Sequence, residues 1–406
     1  MVVSLNPARV RHALWASLIA VYFNGVLYAV WGINIPLIRE KFDLSEGTLS
    51  IALAAVAFGG IATMARASHV ISLTGSRFSA LLSGVMMALS GAGILLVPHF
   101  LPLLVLLLIF GMFAAANDVS LNTQVASLER LAGRPLIGAL HGSFSAGGLS
   151  GAILSTIWQG GNWPAAANFY IPALVGVAAI LLSYRFMIPS ATEIQSVQKA
   201  GQVSPCASSQ LQKAARQRLY FLGMLAFSAM VVEGALYDWA AVYMRDVVKV
   251  PPGWVGYGYA AFSIGLVTGR VSGDWIRMRI AHQALIIAGW IVAGTGLMSV
   301  LSLMSPAVVV AGFFLTGIGI ANINPLVFST SARLAVEAGI PPSEGLGITT
   351  RIGYTGLLAG PLLVGPVAEY FGLRLSLISL GVALSFTCLG WLFLSHRTAG
   401  KPWNMA

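Results

Sequence analysis

Long apolar runs alternate with short polar breaks along the whole chain. Their periodicity predicts helices over residues 12–38, 48–73, 78–98, 101–128, 136–160, 167–188, 218–245, 252–276, 282–303, 306–333, 343–370 and 373–396. A helix needs roughly 20 mostly apolar residues to cross the hydrocarbon core of a bilayer, and each run is near or above that length. Membrane-spanning strands would alternate apolar and polar positions over about 10 residues, whereas these runs are continuous and rich in Leu, Ala and Gly. The first run follows Arg9 and Arg11, as in a secretory leader. It continues too far for a leader's apolar region and has no clear cleavage pattern, so it is read as the first membrane helix.

One polar stretch stands apart. From Pro189 to Gln217 the chain carries Ser, Gln, Lys and Pro with no apolar period, the pattern of a linker. It divides the predicted helices six from six. The expected fold is therefore an all-α membrane protein, with twelve transmembrane helices in two six-helix bundles. Residues 1–188 form the first bundle, 189–217 a cytoplasmic linker and 218–406 the second bundle. Two internal echoes support matched halves. Thr63–Ser68 resembles Val267–Ser272, which sets Arg66 against Arg270, and His141–Ser150 resembles Arg351–Gly360.

Composition narrows the class. The 406 residues are 57% apolar and only 9% charged, with a mean hydropathy of +0.83. A soluble domain carries about 25% charged residues, and disorder needs low hydropathy with high charge, so both are excluded. The net charge of +10 could suggest nucleic acid, but its placement argues otherwise. With both termini in the cytoplasm, fifteen of the 23 Lys and Arg residues fall on inner loops and tails and five on outer loops; Arg66, Arg270 and Arg351 lie within helices. The positive-inside rule then sets the orientation. Cys206 and Cys388 have no metal-ligand spacing. No nucleophile–base pair or phosphate-cradling loop is present at recognisable spacing, so an enzyme, a cofactor and ATP-driven transport by this chain alone are not expected.

Ionisable groups deep in a bilayer cost at least roughly 2.5–3.5 kcal/mol unless paired or hydrated, so they point to function. Asp118 lies deep in the fourth segment, with Asn122 one turn on and on the same face. A structural ion pair to Arg66 or Arg351 is the alternative use of Asp118. Glu233 lies deep in the seventh segment without a basic residue one turn away; it is either a proton or substrate group or a buried acid bonded to a neighbouring helix. Asp238 is nearer the outer end, as a substrate contact, a gate or a cap. His141 is either a contact or a packing residue in the fifth segment. Arg270 and Asp274, four apart in the eighth segment, read as a local gating ion pair. Asn322 and Asn324 precede Pro325, which removes a helical hydrogen bond; freed carbonyls and two amides could bind a hydroxylated solute, or the site is only a kink. In the first segment Asn24, Tyr28 and Trp31 share a face and Asn34 follows, lining a cavity or forming an interhelical seam. The glycines crowding the fifth and eleventh segments are read as packing surfaces.

Several stretches together resemble the major facilitator superfamily and, within it, a bacterial MosC-like branch. They are Asp118-Val-Ser-Leu-Asn122-Thr-Gln124 followed by Glu129-Arg130, Gly133-Arg134-Pro135 and His141-Gly142; Glu233-Gly234-Ala235 with Asp238-Trp239; Gly269-Arg270 with Gly273-Asp274; and Gly353-Tyr354, Gly360-Pro361 and Gly372-Leu373-Arg374. The resemblance covers nearly the whole chain in order. It departs at Ser72, where the superfamily usually has Asp, at Asn34, where the branch often has Arg, and at Arg351, where related proteins have a small polar residue. The Arg in the fourth helix and the Gly-Pro signature in the fifth, frequent in the superfamily's drug exporters, are missing.

The resemblance implies alternating access. A carboxyl group facing the cavity takes up a proton, loses its charge and lets the loaded carrier turn over. Asp118 and Glu233 are the proton-coupling candidates. Tyr28, Trp31, Asn34, Asn122, Gln124, His141, Asp238, Asn322, Asn324, Arg351 and Tyr354 are the candidate solute contacts. Such a lining suits a small polar organic solute of sugar, polyol or amino-sugar type. The expected partners are that solute, protons and the lipid bilayer of a bacterial inner membrane, with the protein a monomer and no nucleic acid involved. An exporter of amphipathic compounds and a transport-inactive sensor remain the alternatives.

Overall fold

The computed structural model describes residues 6–133, 136–161, 163–189, 209–277, 279–302, 304–340 and 342–397, with a few side chains inside these ranges, Ser72, Arg130, Asp274 and Cys388 among them, outside the description. Most of the expected linker, with Cys206, and the pair Arg134-Pro135 also lie outside the described residues. The regular structure among the described residues is helical throughout. In chain order the helices are α1 (Pro7–Lys41), α2 (Glu46–Thr74), α3 (Ser76–Gly93), α4 (Phe100–Ala132), α5 (Ile137–Gly160), α6 (Ala167–Tyr184), α7 (Ser209–Val242), α8 (Tyr257–Arg277), α9 (His282–Ser302), α10 (Pro306–Ile320), α11 (Ile323–Glu337) and α12 (Pro342–Arg397).

Local chemistry sets the ends. Asn6 caps α1 by accepting from Ala8 N (3.0 Å), with Pro7 at the first helical position, where its missing N–H costs nothing. Ser45 caps α2 through Thr48 N (3.2 Å). Gly133, at φ 64°, closes α4 in the left-handed region that favours glycine. Three elements differ from the sequence pattern. The seventh helix starts at Ser209, well inside the expected linker, because Gln212 to Arg218 is built from strong helix formers; Arg216 there pairs with Glu344 (2.7 Å). The tenth predicted segment is broken at Ala321 and Asn322 into α10 and α11, just before Pro325. The eleventh and twelfth predicted segments run together as α12, with the turn between them at Gly372 (φ 81°, ψ 153°).

Seven stretches of the described helices are long and apolar enough to cross a membrane: Pro7–Lys41, Glu46–Met64, Phe100–Glu129, Ala167–Tyr184, Gln212–Val247, Pro306–Glu337 and Glu344–Thr387. The last spans 44 residues and contains the Gly372 turn, so it holds two of the predicted segments. Ala284–Val300 is apolar but shorter. The remaining segments, α3, α5 and α8, are diluted by Ser and Gly, the residues that let helices pack closely in lipid. Large apolar side chains such as Leu73, Val271 and Tyr370 are exposed, as befits surfaces that face acyl chains.

The chain divides into two compact units, Met1–Gly201 with Pro251–Gly256, and Gln202–Val250 with Tyr257–Ala406. Glycines bring paired helices to backbone contact in each. In the first unit Gly147 and Gly151 of α5 lie against Tyr22 and Val26 of α1, and Gly59 of α2 and Gly111 of α4 lie against Leu108 and Val56. In the second, Gly356 and Gly360 of α12 lie against Phe227 and Val231 of α7, and Gly265 of α8 and Gly317 of α10 lie against Phe314 and Phe262. The two sets share one spacing, so they define the internal register. That register corrects the echo read from sequence. Arg270 follows Gly265 by the interval at which Met64, not Arg66, follows Gly59, and His141 matches Thr350 rather than Arg351. The slip is two residues in one pair and one in the other; on a helix each residue turns the side chain by about 100°.

Candidate functional site

In the first unit, α4 carries Asp118 and Asn122 one turn apart. Asn122 Nδ2 donates to Asp118 Oδ1 (3.1 Å) and to Asp118 O (2.9 Å), folding the amide back onto the acid. Asp118 is half-buried and no cation lies at ion-pair distance among the described residues. Arg66, the partner within this unit that the sequence offers, is exposed. On α1, Tyr28 meets Phe110 of α4 and Phe144 of α5 edge-on, each at 5.8 Å between ring centroids, and Trp31 packs against Phe110 at 6.3 Å. Trp31 is buried in this packing, while Tyr28 is half-buried. Asn24, on the same face, is buried with no donor to its Oδ1.

Two expected solute contacts have other employment. Asn34 is fully buried: its Nδ2 donates to Val30 O (2.7 Å), and its Oδ1 accepts from Gln159 Nε2 of α5 and Asn168 Nδ2 of α6, both at 3.1 Å. It ties three helices together, which uses its hydrogen-bonding capacity. Gln124 is likewise buried. Its Nε2 donates to Ser76 Oγ (2.7 Å) and Ile188 O (3.0 Å), and its Oε1 accepts from Ile188 N (3.2 Å). It therefore pins the start of α3 and the chain beyond α6. Arg77 joins the same end, donating to Tyr184 O (2.9 Å) and lying 4.2 Å from the Tyr184 ring centroid. Nearby, Glu129 Oε2 accepts from Leu136 N (2.6 Å) and Ile137 N (3.2 Å), satisfying donors at the start of α5. His141 is exposed one turn into α5, and its carbonyl accepts from Ser145 Oγ (3.0 Å).

In the second unit the principal feature is an ion pair. Arg270 Nη2 of α8 donates to Glu233 Oε1 of α7 at 3.1 Å. Arg270 was expected to pair with Asp274, whose side chain lies outside the described residues; its described carboxylate partner sits on another helix. The pair is asymmetric, with side-chain exposures of 11% for Glu233 and 33% for Arg270. Tyr237, one turn along α7, interacts electrostatically with both groups, and Tyr354 of α12 interacts with Arg270. Tyr237 also packs against Tyr259 and Phe262 of α8. Glycines flank Arg270: a Cβ at Gly269 would meet Ala321 and Ile318, and one at Gly273 would meet the Asn322 amide. Asn322 Nδ2 donates to Gly269 O (2.7 Å), so the break between α10 and α11 rests on the helix that carries the guanidinium. Asn324 is buried and its Oδ1 has no donor. Asp238 is half-buried beside the buried Trp239, while Arg351 is exposed.

Helices long and apolar enough to cross a bilayer, arranged in two units with ionisable groups along them, define a multi-pass membrane protein. Residues 133–342 match the Major Facilitator Superfamily, and the chain belongs to that family. It is 28% identical over 401 residues to the membrane protein MosC of Rhizobium meliloti, covering 98% of this chain and 94% of that protein. It is also 28% identical to an uncharacterized MFS-type transporter of Yersinia pestis, covering 94% of each. Among solved structures it resembles a bacterial homologue of the human lysosomal transporter Spinster (TM-score 0.71, 14% identity, 97% of this chain and 98% of that one) and the nucleoside transporter NupG (TM-score 0.72, 10% identity, 94% and 98%). The chain is thus a multi-pass membrane transporter of the MosC-like kind and not an enzyme.

Proposed function

We propose that this transporter moves a small polar organic solute, of sugar, polyol or amino-sugar type, across a bacterial inner membrane by alternating access coupled to protons. The observation that carries the reading is Asp118, an acid on a membrane-spanning helix whose only described partner is the neutral Asn122. A charge kept there costs at least roughly 2.5–3.5 kcal/mol, and protonation removes that cost while the carrier reorients. Glu233 is the second acid of the cycle, with Arg270 balancing its charge. Tyr28, Tyr354 and Asn324 are the neutral groups best placed to meet hydroxyls, being half-buried or short of a donor. The excess of Lys and Arg on alternate loops supports a cytoplasmic position for both termini.

The test is proton movement. In proteoliposomes loaded with a pH-sensitive dye and held at zero membrane potential, adding the true solute should acidify the lumen as solute enters. Entry without any proton flux would overturn the coupling.

A further inference from the structure

The Glu233–Arg270 pair has a chemistry that goes beyond holding two helices together. The two residues meet through one contact, Nη2 to Oε1 at 3.1 Å, although a guanidinium offers five N–H donors in a planar fork that matches a carboxylate bidentately. Glu233 is the more buried partner, and the Arg270 side chain as a whole is one-third exposed. Buried ion pairs are often no more stable than apolar packing, so stability alone does not account for this one. Gly269 and Gly273, on either side of Arg270, let Ala321 and Asn322 come up against α8, which fixes the backbone that carries the fork. Among the described residues, the titratable groups that interact with the pair are Tyr237 of α7, which meets both charges, and Tyr354 of α12, which meets Arg270, while the uncharged Asn322 rests on Gly269 beside them.

We propose that Arg270 is an anion receptor within the second unit, that the solute therefore carries a carboxylate beside its hydroxyls, and that Glu233 is the internal anion this carboxylate replaces. This rests on the transport reading and narrows its solute to an acidic, sugar-acid type of compound. The exchange balances. Glu233 takes one proton from solution and becomes a neutral acid. Arg270 keeps its charge and passes its N–H donors from Glu233 to the incoming carboxylate. The subsite is neutral before and after, so one proton accompanies one monoanion there. The phenols of Tyr237 and Tyr354 supply hydroxyls beside the guanidinium.

Matched probes separate this proposal from the broader reading. Binding to the purified full chain in nanodiscs is measured for D-gluconate against sorbitol, and for D-glucuronate against glucose, at two pH values about two units apart. Each pair differs chiefly in its carboxylate. The expected result is that the acids bind roughly 10- to 100-fold tighter than their neutral partners, the range of a charge-assisted hydrogen bond, and tighten as pH falls. Glu233→Gln should keep acid binding and lose most of its pH dependence, while Arg270→Gln should lose the preference for the acids. The double variant Glu233→Gln/Arg270→Gln removes both charges and so serves as the folded control; it too should bind acid and neutral probes alike. Equal binding of acids and neutral polyols in the unmodified chain, or an acid preference that survives Arg270→Gln, overturns the anion receptor and leaves polar-solute transport standing. Absence of acid binding in both the unmodified chain and Glu233→Gln also overturns it. The transport reading fails separately, if gradient-driven uptake of every solute is absent.

Discussion

Asn34→Ala distinguishes a residue that binds solute from one that holds helices together. Asn34 has no exposed surface, and its Oδ1 accepts from Gln159 and Asn168. Gln159 Nε2 keeps a second acceptor at Ile33 O (3.2 Å), so truncation orphans chiefly Asn168 Nδ2. A buried donor left unpaired costs about 1–3 kcal/mol. Interhelical hydrogen bonds in membranes average nearer 0.6 kcal/mol, with a maximum of about 1.7, which favours the lower half of that range. The lost atoms add a small cavity at roughly 24 cal/mol per Å³, about 1 kcal/mol. Together these give about 2–3 kcal/mol. At about 2–4 °C per kcal/mol for a domain the size of one unit, the melting temperature should fall by roughly 4–12 °C in a detergent thermostability assay. Asn168→Ala should fall similarly, and the double variant should lose less than the two losses added, because the residues share one network. The solute concentration for half-maximal transport should stay within about twofold. An unchanged melting temperature with a tenfold weaker solute affinity would refute the structural assignment and return Asn34 to the binding site.

Three further outcomes follow from the packing. Gly147→Val drives a side chain into the Tyr22 backbone and should cost about 1–3 kcal/mol or more, seen as lost folded yield, whereas Gly142→Ala, with nothing within 4 Å of the new Cβ, should be neutral or stabilise by up to about 1 kcal/mol. Gln124→Leu orphans the Ile188 backbone groups and should lower the melting temperature at unchanged solute affinity; weaker solute binding at unchanged stability would contradict the anchoring role. Glu129→Ala removes the acceptor at the start of α5 and should cost about 0.5–2 kcal/mol, as lost caps do, with Glu129→Gln recovering part of it because its amide oxygen still accepts.

The segments and their order were legible because a membrane helix writes its length into one continuous apolar run. The break before Pro325 was legible for the same local reason, a missing N–H in a helical pattern. The start of α7 was not, since a polar helix outside the bilayer leaves no apolar period. Side-chain partners were the least legible. Arg270 has an acid one turn away in Asp274, and the local rule selects it; Glu233 enters only once α7 and α8 are packed together. A signal was available, in that two opposite charges deep in neighbouring apolar segments cost less together than apart. Asn34 and Gln124 show the other limit. Asn122 and Gln124 are two residues apart and so point to different sides of α4. Nothing in the sequence says which side faces a neighbouring helix. Asn122 meets Asp118, while Gln124 faces Ser76 and Ile188.

Proton coupling on this reading depends on acids kept inside the membrane, and Asp118 tests it most directly because no cation pairs with it among the described residues. Asp118→Asn should be compared with the unmodified chain in proteoliposomes, for solute accumulation driven by an imposed proton gradient and for exchange of labelled against unlabelled solute without a gradient. The account predicts that accumulation falls to the level of empty liposomes while exchange continues, since a permanently neutral side chain mimics the loaded state. Full gradient-driven accumulation by Asp118→Asn would contradict it.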